Sequence, residues 1–142
     1  SATSHNFDSP VIVDGTGEAL GDGFKIQNSY VQTTDATVTT IITIATASDH
    51  SYLVTVDAIG ATTSGATTGA YVRRAAYEND SGTLGGVGVG VTNVDTLEDA
   101  GAAAWDVTIT TSGTNILIHV TGAAATTINW QATVQISDIG AS

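Results

Sequence analysis

The sequence has no cysteine and no methionine, a single proline, and only three basic residues, Lys25, Arg73 and Arg74. Without cysteine, neither a disulfide framework nor a thiolate zinc site can form, so stability rests on packing and association. The shortage of positive charge excludes more. Fourteen Asp and Glu residues leave a formal net charge of −11. A polyanion such as nucleic acid is repelled by that charge, and no basic stripe is present to neutralise phosphates. Anionic membrane surfaces are disfavoured for the same reason. No apolar run approaches the ~18–20 residues of a spanning helix. Charge this far from zero serves solubility first, with docking onto a basic partner as the second reading.

What is present is a β pattern. The 142 residues fit one domain on the prior of ~100–200 residues per domain, long enough to bury a core without staples. Apolar residues recur with period two. Tyr52, Val54, Val56 and Ala58 alternate against Leu53, Thr55, Asp57 and Ile59. Trp105, Val107 and Ile109 do the same, as do Ile116, Ile118 and Val120. The longest case is Ile128, Trp130, Ala132, Val134 and Ile136 against Asn129, Gln131, Thr133 and Gln135. In residues 38–46, Val38, Ile42 and Ile44 fall on one face and Thr39, Ile41 and Thr43 on the other. Strict alternation of Val, Ile, Thr, Tyr and Trp predicts half-buried strands.

Turn residues separate the runs: Asp14-Gly15, Ser48-Asp49, Asn79-Asp80-Ser81-Gly82, Ser112-Gly113 and Gly122. The stretch around Ser112-Gly113 predicts a hairpin between strands near 105–111 and 115–121. About eight short strands point to an all-β sandwich with jelly-roll or Greek-key-like connections. Thr96–Ala104 is the one stretch that suggests a helical turn. Residues 60–70, small and polar, predict a long flexible connection. Residues 84–92 place Val87, Val89 and Val91 on one face with bare glycine on the other. Such a stripe suits either tight packing within the chain or a subunit contact. Residues 1–23 differ in texture and predict an N-terminal arm, with 24–142 as the sandwich body. Within the arm, Val11, Ile12 and Val13 form an apolar run able to add a strand to a neighbouring sheet.

No catalytic, cofactor or metal residue is expected. His5, His50 and His119 lie far apart in sequence and match no metal-ligand spacing. His119, between Ile118 and Val120, faces outward on its strand. There is no nucleophile elbow, and the glycines of 85–90 precede no helix, so they are no phosphate loop. Paired carboxylates are the residues that hydrolyse glycosides, and Asp57 with Glu78, or Glu98 with Asp99, are the pairs to weigh. Aromatics at 6% are few for stacking sugars, and solvated loop acids are the expected reading. Oxygen-rich loops at Asp14, Glu18 and Asp22, and at Asp95, Glu98 and Asp99, lack the spacing of a calcium loop. Arg73 and Arg74 are adjacent, so a strand sends them to opposite faces. One is expected inside, where a guanidinium needs an acid or carbonyl partner, and a structural ion pair is the favoured role.

The strings QTTDATVTTIITI, GAYVRRAAYENDSGTLGG, EDAGAAAWDVTI and ILIHVTGAAATTINWQATV resemble a β-rich module of tailed bacteriophages. That module occurs in tail fibres, head fibres and other virion structural proteins. Tyr71-Val72-Arg73-Arg74-Ala75 and the stretch from Gly122-Ala123-Ala124 to Trp130 are its most specific parts, and the resemblance covers about residues 32–136. It implies a non-enzymatic virion part, often a homotrimer. No heptads or shaft repeats are visible, so the leading expectation is a capsid decoration or cement protein, held to the major capsid protein or another virion protein through Val11 to Val13. Val87, Val89 and Val91 are then contacts between subunits. The alternative is the receptor-binding tip of a tail or head fibre. A second alternative is a carbohydrate-binding module facing a host surface glycan.

Overall fold

The structure, a computed structural model, describes residues 11–13 and 21–140, with side chains from Gly23 onward. His5, Asp14, Glu18, the side chains of Val11, Ile12, Val13 and Asp22, and the Asp14-Gly15 turn lie outside the described residues.

Among the described residues, nine antiparallel strands form two sheets. They are β1 (Val11–Val13), β2 (Gly21–Thr33), β3 (Thr39–Ala45), β4 (His50–Thr62), β5 (Thr68–Asp80), β6 (Thr83–Glu98), β7 (Asp106–Ser112), β8 (Asn115–Thr121) and β9 (Ile128–Gly140). The larger sheet runs β1-β2-β9-β4-β5-β6 and the smaller β3-β8-β7. The fold is an all-β sandwich, of six strands over three. The strands are longer than the expected short ones, with 13 residues in β2, β4, β5 and β9 and 16 in β6.

The alternating residues supply the core. Tyr52, Val54, Val56 and Ala58 of β4 face inward, as do Ile128, Trp130, Ala132, Val134 and Ile136 of β9. Opposite them stand Ile42 and Ile44, Ile116, Ile118 and Val120, and Val107 and Ile109. Each such aliphatic side chain removed from water stabilises the fold by about 1.5–3 kcal/mol. Two aromatic contacts anchor one end of this core. Trp105 meets Trp130 edge-on at 5.6 Å, and Tyr71 lies 6.2 Å from Trp130. The Trp130 indole N–H donates to Thr33 Oγ1 at 3.0 Å, whereas the buried Trp105 Nε1 has no partner among the described residues.

Turn chemistry joins the strands. Asp80 pairs with Thr83 across a two-residue turn in which Ser81 and Gly82 both have positive φ, 53° and 92°. That is the geometry whose twist matches a hairpin. The β7–β8 hairpin turns at Gly113, φ 59°. The helical turn expected within Thr96–Ala104 is a short 3-10 turn, Ala100–Ala102.

Three readings of the sequence are corrected. Residues 60–70 are not a long loop, since β4 continues to Thr62 and β5 starts at Thr68. Gly60 and Gly69 pair with each other inside the sheet, and their bareness makes room for rings. A Cβ on Gly60 would stand 2.7 Å from Trp130, and one on Gly69 2.6 Å from the Tyr71 hydroxyl. In β3, Ile41 is buried together with Ile42 and Ile44, because the register with β8 shifts between Thr40 and Ile42. The valine stripe of 84–92 is not a flat strand face. Gly88 and Gly90 have positive φ, 76° and 88°. Gly88 to Val91 all stand across from Ala75 alone, between the pairs Ala76–Val87 and Arg74–Thr92. The result is an outward bulge that leaves Val89 93% exposed.

Candidate functional site

The two arginines part at the strand. Arg73 is 2% exposed and its guanidinium lies 5.1 Å over the Tyr71 ring. Its Nε donates to the Val107 carbonyl at 2.9 Å. Its Nη1 donates to the Asp95 carbonyl at 2.7 Å, the Val72 carbonyl at 3.2 Å and Thr96 Oγ1 at 3.2 Å. The Asp106 carboxylate stands 3.4 Å from Nη2 and is 52% exposed. A half-exposed carboxylate at that distance adds little to stability, so the carbonyl bonds dominate. One planar fork thus ties β5 to edge strand β6 and to β7 of the opposite sheet, a task suited to arginine's fixed donor geometry. Beside it the Tyr71 hydroxyl donates to Glu98 Oε2 at 2.6 Å. Burial first, then the Glu98 carboxylate, push the Tyr71 phenol far above its ordinary range.

The acids considered for catalysis or metal binding are dispersed. Asp57 and Glu78 both lie on the outer face of the large sheet, but Asp57 pairs with Val72, six residues from Glu78. At ~3.3 Å per residue this puts them roughly 20 Å apart. The carboxylates of glycosidases are separated by about 5–9.5 Å. Glu98 is engaged by Tyr71, and Asp99 accepts from the Thr68 N–H at 2.8 Å. Asp95 accepts from the Thr96 N–H at 3.1 Å. Among the described residues, no three His, Asp or Glu side chains gather where they could hold a metal. His50 Nδ1 lies 2.7 Å from Oδ1 of the buried Asp138. His119 bridges Thr40 Oγ1 at 3.1 Å and Thr110 Oγ1 at 2.7 Å across the outer face of the small sheet. Burial lowers its pKa from the usual imidazole value.

The surface with most to offer is the outer face of the large sheet where β9, β4, β5 and β6 run side by side. Strand register lays out its rows. Gln131, Ile59, Ala70 and Leu97 form one row; next come Thr133, Asp57, Val72 and Asp95; then Gln135, Thr55, Arg74 and Thr92; then Ser137, Leu53, Ala76 and Val87. Aliphatic rows therefore flank a polar band with Arg74 in it. Leu53, Ile59 and Val87 are about half exposed, and Leu97 and Ile139 more so. Two shallow grooves follow these rows, one of about 200 Å³ at Ile59, Val72 and Leu97, the other of about 430 Å³ at Leu53, Val87 and Ile139. Of the expected contact valines, Val87 joins this face, while Val89 and Val91 sit on the bulge at its edge. Val11 to Val13 pair with Phe24 to Ile26 of the same chain. The outer-face rows were missed in the sequence, although Leu53 and Ile59 are visible there as large aliphatics on the solvent side of an alternating strand.

No protein-family model matches the chain, and no curated protein does. Two solved structures are similar to it over part of their length. One is the tailspike protein gp49 from Acinetobacter baumannii bacteriophage Fri1, a capsular polysaccharide depolymerase, with a TM-score of 0.49 and 15% identity over 89% of this chain and 19% of that one. The other is the Acinetobacter baumannii phage AM24 tailspike protein, with a TM-score of 0.38 and 13% identity over 78% of this chain and 26% of that one. This chain therefore spans only a minor part of either tailspike, and likenesses of this size carry no inference about its chemistry.

Proposed function

We propose that the chain is a non-enzymatic structural module of a tailed-phage virion, of the fibre or tailspike kind, that works by presenting surface. The observation that carries this reading is where the most specific parts of the phage-module resemblance fall. Tyr71 to Ala75 holds Arg73, whose fork binds three strands across both sheets, and Tyr71, which packs against Trp130. The stretch from Gly122 to Trp130 ends on the ring at the centre of the aromatic cluster. What resembles the phage module is therefore the scaffold's own bracing. The acids that a hydrolase would use are bonded to backbone and side chains or stand far apart.

The fibre reading is preferred to capsid decoration on one further observation. A decoration protein anchored by Val11 to Val13 is best served by a strand with both edges to offer, whereas here one edge lies along β2 of its own sheet and, among the described residues, only the other is open. The receptor-binding tip is then the natural role, with the β4–β5 turn and the outer face of the large sheet as the surfaces on offer. A glycan-binding module is favoured less, because Trp105, Trp130, Tyr52, Tyr71 and Tyr77 are all buried and Tyr30 alone is an exposed tyrosine. The test is the copy number of this chain in purified virions, measured against the major capsid protein by quantitative mass spectrometry. A number far below the capsid protein's is expected. Near-stoichiometric copies would restore the decoration reading, and absence from the particle would overturn the virion assignment.

A further inference from the structure

We propose that the open edge of β2 over residues 27–33 receives an extended strand of a partner protein, uncharged and rich in β-branched residues, which adds to the large sheet next to β1. The inference stands apart from the virion assignment, because it rests only on how the sheet edges are built.

Among the described residues, the two sheets end on β6, on β3, on β7, and on β2 with its short neighbour β1. Three of these edges carry a feature that hinders strand addition. Strand β6 has the bulge at Gly88 to Val91, with positive φ at Gly88 and Gly90, and the acidic Asp95 and Glu98 beyond it. In β3 the register shifts at Ile41. Strand β7 opens on Asp106 and gives its Val107 carbonyl to Arg73. The β2 edge has no such guard. It pairs with β9 in unbroken register from Gly23 to Thr33, while β1 covers only Phe24 to Ile26. Residues 27–33 are Gln, Asn, Ser, Tyr, Val, Gln and Thr, without charge, proline or glycine. In the sequence β1 is preceded by Pro10, and a proline has no N–H with which to carry that ladder on to Gln27. A regular, uncharged edge of this kind is a template for another strand. Strand β1 shows that the edge accepts one in antiparallel sense.

The neighbouring side chains set the chemistry of the occupant. Tyr30 points to the outer face of the sheet and is 67% exposed, whereas Val31 is partly buried against the core. Aromatic and β-branched residues stabilise a sheet when they stand across from β-branched ones. A strand with Val, Ile or Thr on both faces therefore gains at Tyr30 and at Val31. The net charge of −11 disfavours an acidic strand. A basic one finds no carboxylate within residues 27–33 to pair with. The edge of a second copy is a poorer match, since only Val31 and Thr33 of its residues 27–33 are β-branched. Backbone hydrogen bonds supply the affinity of such an added strand, and its alternate side chains supply the selectivity.

The test is selection on the full chain from a displayed library of uncharged peptides of about ten residues, rich in Val, Ile and Thr. Amide hydrogen exchange of the chain then follows, with and without the selected peptide and over a range of chain concentrations. In the chain alone, the amides of residues 27–33 that face away from β9 are expected to exchange fast. The peptide should slow them tenfold or more and leave β6 unchanged. Proline substitution supplies the control. Neighbouring residues of a strand send their N–H groups to opposite edges, so one of Ser29→Pro and Tyr30→Pro removes a donor from the open edge and the other removes one from the β9 ladder. The edge variant should melt near the wild type and bind the peptide at least tenfold more weakly. Edge amides that are already slow in the dilute chain would mean that the chain covers this edge itself. Protection that rises with chain concentration would mean that a second copy does. Either result overturns the proposal, as does a library that yields no binder, or binders that protect β6 or the outer face instead.

Discussion

Trp130 shows how much one residue can carry. Its ring is buried, touches Trp105 and Tyr71, lies against Gly60, and spends its N–H on Thr33. Trp130→Ala is expected to cost about 3–5 kcal/mol, and a melting temperature equal to the wild type's would refute that. Arg73 carries a different load. Arg73→Lys keeps the charge but loses the fork, leaving the buried Val107 carbonyl or the part-buried Asp95 carbonyl short of a donor. A loss of about 1–3 kcal/mol is expected, read from chemical denaturation. His119 gives the chain a pH response. Burial lowers its folded-state pKa, so between that value and the unfolded value near 6.5 the unfolded chain binds the proton more readily. Stability is therefore full above about pH 6.5 and declines as the pH falls through the folded-state pKa. His119→Gln should flatten this part of the profile; melting curves from pH 7.5 to 5 with the same slope as the wild type would show that His119 is not responsible.

At the level of elements, period two was legible and strand irregularity was not. The inward faces of β4, β7, β8 and β9 follow the alternation residue by residue. In β3 and β6 a register shift breaks it. A bulge is decided by what the partner strand offers, and the strand's own sequence hints at one only through glycines such as Gly88 and Gly90. Gly60 resembles a loop residue in the sequence because the ring that needs its space, Trp130, comes from a strand far along the chain, while Gly69 makes room for the ring of Tyr71 two residues on. The smallest element gives a clear expectation. Strand β1 pairs only three residues of the 13-residue β2. Removing residues 1–13 should leave the β-sheet circular-dichroism signal intact, and its collapse would show that the arm is required for the fold.

On the scale of the molecule, the controlling fact is the position of β9. It is the last of the described strands, yet it pairs with β2 on one side and β4 on the other. The large sheet cannot close until nearly the whole chain is available. Pairing between residues so distant in sequence raises contact order, and two-state domains dominated by such pairings fold in roughly milliseconds to seconds. A chain ending before Ile128 is expected to lack the cooperative melting transition of the full chain. A sharp transition in that fragment would mean that the remaining strands make a core without β9.

The sequence alone determined the all-β class, the inward face of each regular strand, the turn residues of 79–82, the hairpin around Ser112-Gly113, and the separation of Arg73 from Arg74 onto opposite faces. These are local matters: side chains alternate along any strand, and turn residues act within a few positions. Which arginine goes inside, which strands are neighbours, where the register slips, and which outward aliphatics line up in rows were decided only by the tertiary structure. Each depends on a partner strand far away in the chain, and a period-two pattern specifies a face without specifying what lies beside it.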